Sequence, residues 1–206
     1  MPTEQTQLRR SFIALAQRRI RPGSGSSEAF RARRTWSFPV SDLLGIIRCT
    51  PFVVAGGVAT RLYMPERMTL DMEILVARQN VGRLHKELRD GGCECQGPLN
   101  AGGSHWVLPD GAGPDVIESD AVWVREALAC PRRSPDGLPV ADLPYLVLMK
   151  VESSRTQDLA DVSRMLEWAG TADLDRVRHV VRHYLPDAVE DLESLVELER
   201  MEGGDG

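Results

Sequence analysis

The nine residues MTLDMEILV, 68–76, limit what this chain can fold into more than any others. Apolar and polar side chains alternate there with the period of a β-strand. Leu70, Met72, Ile74 and Val76 share one face, and Thr69, Asp71 and Glu73 share the other. Aspartate forms strands poorly. Two carboxylates whose backbones lie about 6.5–7 Å apart on one face also repel unless a cation or water bridges them. A divalent metal is the natural bridge, because Mg2+ takes oxygen ligands and often holds a substrate phosphate in the same shell. A half-exposed strand with its polar face in water accounts for the same alternation, so this segment alone leaves both readings open.

The preceding residues bear on that choice. An apolar strand expected over 52–55 runs into Gly56-Gly57, and a helix is expected over 58–63. At such a junction the missing Cβ lets a phosphate approach backbone N–H groups. Further along, helix periodicity marks 5–20, 43–47 and 81–89, the last stopped by Gly91-Gly92. Short strands are expected at 93–96, 105–108 and 115–118, separated by glycine-rich turns. From about residue 143 the period is helical throughout, with helices expected at 143–153, 156–168, 174–184 and 188–201 and inward stripes Leu159, Val162, Leu166 and Leu192, Leu195, Val196. Strands early and helices late predict an α+β fold, a small mixed sheet with flanking helices and a helical C-terminal part, and disfavour a doubly wound parallel sheet. The expected division is a basic arm over 1–37, an α+β core over 38–140 and a helical part over 141–206 packed on that core.

Composition narrows the class. A chain of 206 residues with 42% hydrophobic and 27% charged residues suits one ordinary globular core, and no apolar run approaches the ~20 residues that cross a bilayer. The arginine-rich N-terminus has no apolar stretch of signal-peptide type. Four cysteines without paired C-x-x-C spacing make neither a disulfide scaffold nor a zinc site; Cys93, Cys95 and His105 lack a fourth ligand. A cytoplasmic protein with no membrane partner is expected. His179 and His183 stand one helical turn apart without the glutamate of H-E-x-x-H, and read as solvent-facing. Trp106, Trp123 and Trp168 read as core or interface anchors. No Walker A, G-x-S-x-G or dinucleotide fingerprint occurs.

Charge is uneven along the chain. Residues 1–37 hold eight arginines against Glu4 and Glu28, while 187–205 hold eight acids against Arg200. The arm can therefore touch nucleic acid, stay solvated, or clamp the acidic C-terminal end. Of the 25 basic residues only Lys86 and Lys150 are lysine. Lys150 follows an apolar run, where two readings stay open: a need for a compact ammonium in place of a planar guanidinium, or chance.

Taken together, VVAGGVATRLYMPERMTLDMEILV (53–76) resembles the nucleotidyltransferase superfamily, in particular small bacterial AbiEii/AbiGii toxin-type and minimal nucleotidyltransferase-like proteins. In that family Gly-Gly or Gly-Ser at a strand–helix junction is followed by Arg, Thr and then D-x-D or D-x-E on the next strand. Gly56, Gly57, Arg67, Thr69, Asp71 and Glu73 match that order. LPVADLPYLVLMKVESSRTQDLADVSRML (138–166) is similar to the family's later motif, an apolar helix ending in Lys, then Arg, then D-x-x-D. Lys150, Arg155, Asp158 and Asp161 match it. The two motifs span roughly residues 42–168. Two positions depart: Val58 stands where many active members have serine, and Glu73 is one methylene longer than the usual aspartate.

The resemblance implies a nucleotidyltransferase-like fold and transfer of NMP from an NTP, with Mg2+ as cofactor held by Asp71 and Glu73. It implies a third carboxylate from a later strand, for which Asp115 is the candidate; a plain turn residue is the other reading of Asp115. It gives Gly56, Gly57, Arg67, Lys150, Arg155 and Asp158 to nucleotide binding. On the residues alone, the ion pairs of an ordinary solvated helix face also explain Arg155, Asp158, Asp161 and Arg164. The acceptor is open among RNA, protein and a small hydroxylated molecule, and one version is the toxin of a pair with an antitoxin partner. The alternative, to which Val58 and Glu73 point, is a catalytically weakened module of the same fold that binds a nucleotide or a partner protein.

Overall fold

The computed structural model describes residues 3–19, 43–65, 72–99, 102–109 and 111–203. They fall into two compact units. One is helical, from residues 3–19, 63–65 and 143–203; the other carries the sheet, from the described residues of 43–62 and 72–142. Helix α1 (Glu4–Arg19) belongs to the first. The sheet unit holds α2 (Leu43–Ile46), β1 (Val53–Ala55), α3 (Gly56–Ala59), β2 (Met72–Ala77), α4 (Val81–Asp90), β3 (Glu94–Pro98), β4 (Ser104–Val107), β5 (Pro114–Ser119), α5 (Val124–Ala129), β6 (Arg132–Arg133) and β7 (Pro139–Val140). Helices α6 (Leu143–Ser153), α7 (Thr156–Glu167), α8 (Thr171–Tyr184) and α9 (Val189–Gly203) complete the helical unit. No described helix is long and apolar enough to cross a membrane.

The seven strands of the described residues form one mixed sheet in the order β3-β4-β5-β2-β1-β7-β6. β2 pairs parallel with β5, β1 pairs parallel with β7, and the other pairings are antiparallel. The fold is thus α+β with a mixed sheet, as the order of elements predicts. β1 and β2 lie inside the sheet, and Val53, Val54, Ile74, Leu75 and Val76 are buried on both of its faces. Central strands need apolar side chains on both sides, which is why the alternation read from 68–76 ends at Glu73. Residues 66–71, with Arg67, Thr69 and Asp71, lie outside the described residues, as do 20–37 of the arm and 38–42 after it.

Helix α4 covers one face. It buries Leu84 and Leu88 at i,i+4, sets the His85 ring at a tilt against Trp106 with centroids 5.0 Å apart and lays Arg89 over the same indole. Ser104 Oγ accepts a hydrogen bond from Trp106 Nε1 at 2.9 Å and meets His85 Nε2 at 3.1 Å. Because side chains alternate along a strand, this cover on Ser104 and Trp106 turns His105 to the opposite face. The Glu87 carboxylate accepts backbone N–H bonds from Arg48, Cys49 and Thr50, which fixes the turn leading into β1.

Residues 143–203 hold helices and no strand, as their period predicts. Helix α6 is apolar nearly all round, burying Leu146, Val147, Leu148 and Val151 at the centre of its unit. Leu159, Val162 and Leu166 of α7, Val177 and Val181 of α8, and Leu192, Leu195 and Val196 of α9 are the buried stripes. The N-terminal helix is docked: Thr6, Arg9 and Ile13, one face at helical spacing, are buried, and Arg9 pairs with Asp191 while Arg10 pairs with Glu190. The described part of the basic arm is a clamp on the acidic C-terminal end.

Candidate active site

Strand register builds the candidate site within the sheet unit. Residues paired across strands point to the same face, and one such line runs through five strands: Gly97 of β3 pairs with His105 of β4, His105 with Asp115 of β5, Asp115 with Glu73 of β2, and Glu73 with Ala55 of β1. Glu73 and Asp115 therefore stand side by side on the face that α4 does not cover. Adjacent parallel strands lie about 4.8 Å apart, so their backbones are closer than those of any two carboxylates on one strand face. Both acids are half-buried.

Each acid has its own fixed neighbour. Beside Ala55 the chain turns from β1 into α3 through Gly56, whose φ of +61° lies in the left-handed region that glycine adopts at no steric cost. A Cβ on Gly56 would overlap the Glu73 carboxylate, so Glu73 leans onto bare backbone at the first glycine of the pair. Gly57 is one residue on, and its carbonyl accepts a hydrogen bond from Thr60 Oγ1 at 2.7 Å. Val58 is fully buried. On its other side Asp115 meets His105, with Nδ1 to Oδ1 at 2.6 Å.

Gly56, Gly57, Glu73 and Asp115 thus come together as a constellation. Asp71 and Arg67 lie outside the described residues. His105 is the neighbour that the sequence does not disclose; its spacing there relates it only to Cys93 and Cys95, of which Cys93 is buried and Cys95 exposed. The signal available was its place in SHWV, opposite in phase to Trp106. Among the described residues no three His, Cys, Asp or Glu side chains converge as a metal cluster. The donor set nonetheless suits a hard cation: adjacent carboxylate oxygens such as those of Glu73 and Asp115 fit Mg2+ better than zinc.

Lys150, Arg155 and Asp158 form a second cluster within the helical unit. The Lys150 ammonium is buried at the end of α6 and donates to Asp158 Oδ1 at 2.7 Å and Asp161 Oδ2 at 2.9 Å. Ser153 Oγ donates to Asp158 Oδ2 at 2.6 Å, and Arg155 Nε lies 4.0 Å from the same oxygen. Burial pushes the Asp158 carboxyl up, but the charge and hydrogen bond of Lys150, with the Ser153 hydroxyl and Arg155 adding to them, hold it below the usual aspartate value. A single compact ammonium between two carboxylates is the geometry in which lysine differs from arginine. His179 and His183 are exposed, Trp106 and Trp123 are buried, and Trp168 is half-buried.

No family model matches the chain, and no curated protein matches it. Two solved structures of the antibiotic-resistance factor ANT(2'')-Ia are similar to it. The solution structure has 15% identity and a TM-score of 0.39 over 97% of this chain and 93% of that one. The crystal structure in complex with adenylyl-2''-tobramycin has 17% identity and a TM-score of 0.39 over 96% of this chain and 98% of that one.

Proposed function

We propose that the protein is a nucleotidyltransferase that moves NMP from an NTP to an acceptor hydroxyl, with Asp71 and Glu73 as metal ligands and Asp115 as the third carboxylate. The observation that carries this reading is the register of β2 and β5, which sets Glu73 beside Asp115 with the Glu73 carboxylate against Gly56. Clustered half-buried acids beside a bare glycine turn are useful around a cation and a phosphate. Bound there, Mg2+ would neutralise the triphosphate and stabilise the oxygens that enter and leave in an in-line displacement. Glu73 is oriented for that task by Gly56, and Gly56 and Gly57 offer backbone with no side chain in the way. The same proposal assigns Arg67, Lys150, Arg155 and Asp158 to the nucleotide. For the acceptor, RNA, protein and a small hydroxylated molecule are the three classes. The toxin version adds that expression arrests growth and that a partner antitoxin relieves it.

The test is transfer of label. Wild type, Asp71→Asn and Glu73→Gln are incubated with α-32P-labelled NTPs, Mg2+ and a whole-cell RNA and protein extract. The wild type should incorporate label and both variants should lose it by about a hundredfold or more, since each removes a metal ligand's charge at nearly constant volume. Equal incorporation by all three refutes the assigned roles. No incorporation by any favours the non-catalytic module, for which the buried, hydroxyl-free Val58 speaks; thermal shifts with the four NTPs would then find its ligand.

A further inference from the structure

We infer that His105 is the base of this transfer reaction, taking the proton of the acceptor hydroxyl at Nε2 while Asp115 holds its ring; the inference rests on the nucleotidyltransferase reading above. An ionised carboxylate only accepts hydrogen bonds, so at 2.6 Å from Asp115 Oδ1 it is Nδ1 that carries the ring proton and donates. In the neutral ring Nε2 then keeps its lone pair. Nε2 makes no hydrogen bond with any described residue, and the side chain is 44% exposed against 27% for Asp115. Toward β3 the described residues leave space as well. Its cross-strand partner on β3 is Gly97, and a Cβ there would meet nothing within 4 Å.

Position along the row supplies the reason for a chemical role. A plain cross-strand pair would be satisfied anywhere on the sheet and stabilises it only slightly. This pair lies in register with Glu73, two strand spacings or about 10 Å from His105 at the backbone, with Asp115 between them. That interval holds an α-phosphate near Glu73 and an attacking oxygen near the imidazole. In the step, the acceptor's O–H bond breaks and its proton goes to His105 Nε2. The oxygen forms a bond to the α-phosphorus, and the bond from phosphorus to the bridging oxygen breaks, its electron pair leaving with pyrophosphate. Asp115 changes no bond; it is a positioning residue that fixes the tautomer and stabilises the imidazolium that forms.

The closing experiment uses the full chain in the label-transfer assay above, with α-32P-labelled NTPs, Mg2+ and the extract, on wild type, Glu73→Gln, His105→Asn and His105→Ala. Asparagine keeps an N–H donor near the Nδ1 position for Asp115 but has no nitrogen that takes a proton. His105→Asn should lose about 10²–10³-fold in rate while the thermal shift produced by Mg2+ and NTP stays as in the wild type. His105→Ala should recover at least about tenfold when imidazole is added, and more basic imidazoles should rescue better. Label lost by Glu73→Gln but kept within about threefold by His105→Asn overturns this inference and leaves the nucleotidyltransferase reading standing. A loss in His105→Ala that no imidazole reverses overturns it too, and marks His105 as structural. Wild type without label overturns both.

Discussion

Glycine is required at position 56 for two separate reasons: the backbone there has φ +61°, and a Cβ would overlap Oε2 and Cδ of Glu73. The first costs an alanine about 1–2 kcal/mol in strain. The second moves a carboxylate on which the proposed metal site depends. Gly56→Ala should therefore lower unfolding free energy by about 2–4 kcal/mol in urea titrations and reduce label transfer to the level of Glu73→Gln. Gly82 is the control: it lies inside α4 with nothing within 4 Å of a Cβ, so Gly82→Ala should raise stability by about 0.5–1 kcal/mol and leave transfer unchanged. A Gly56→Ala protein as stable and active as wild type would refute the coupling of turn and carboxylate. Gly56, Gly57 and Glu73 were legible in the sequence because the glycine pair and the strand acids lie close together along it. The pairing of His105 with Asp115 was not. It depends on how β4 slides against β5, and that register is set where Gly103 passes the carbonyl of Val116 and Gly113 passes that of Trp106, contacts that any side chain would block.

At the scale of elements, α6 and α7 are joined through charge buried in an apolar unit. Lys150 sits among Leu146, Val147 and Val151, and its ammonium serves both Asp158 and Asp161 across the turn at Ser154, a non-glycine residue at φ 55°. Removing one partner of such a group costs more than the intact group contributes, so Lys150→Met should destabilise by about 3–5 kcal/mol. The pH dependence follows from Asp158. Its carboxyl is held below the ordinary value of 3.8, so its contribution is complete above that value and is lost as pH falls through the lower folded-state value. Urea midpoints measured from about pH 6 down to pH 3 should fall in the wild type and change less in Asp158→Asn; parallel curves would remove Asp158 from the account. Lys150 stood out in the sequence because 23 of the 25 basic residues are arginine, and helices α6 to α9 because three or more turns of apolar stripe leave a clear period. β6 and β7 left none. Two residues have no period, and Val140 is a strand only because Val54 is there to pair with it. Helix α5, six residues long, is too short for the same reason.

For the molecule as a whole, the two ends of the chain belong to one unit while residues 43–62 and 72–142 between them build another. Arg9 is the residue through which the ends meet. Its Nε donates to Asp191 of α9, Nη2 lies 3.7 Å from Asp187, and Nη1 reaches Ser154 Oγ at 3.4 Å and the Val151 carbonyl at 3.5 Å. One guanidinium thereby ties the first helix, the α6–α7 turn and the last helix, across sequence separations of 142 and 182 residues. Contacts this distant in sequence carry a high loop-closure cost, so the helical unit is complete only when the last helix is present to receive α1. Among the described residues the opposite charges of the two terminal segments meet where Arg9 and Arg10 face Asp187, Glu190 and Asp191. Arg9 and Asp191 are both buried, whereas Arg10 is half exposed and reaches Glu190 at 3.4 Å and Asp191 at 3.6 Å. Arg9→Ala strips the cation from a buried carboxylate and should cost about 3–5 kcal/mol, an effect that persists at 0.5–1 M salt, roughly where surface pairs are screened. Arg10→Ala should cost less than about 1 kcal/mol and should matter less as salt rises. Arg9→Lys should recover only part of the loss, since an ammonium on a flexible stem cannot span three sets of partners at once. Urea unfolding followed by circular dichroism at low and high salt separates these outcomes. If Arg9→Ala and Arg10→Ala prove equally mild, or equally sensitive to salt, α1 is a surface attachment and the clamp does not hold the helical unit together.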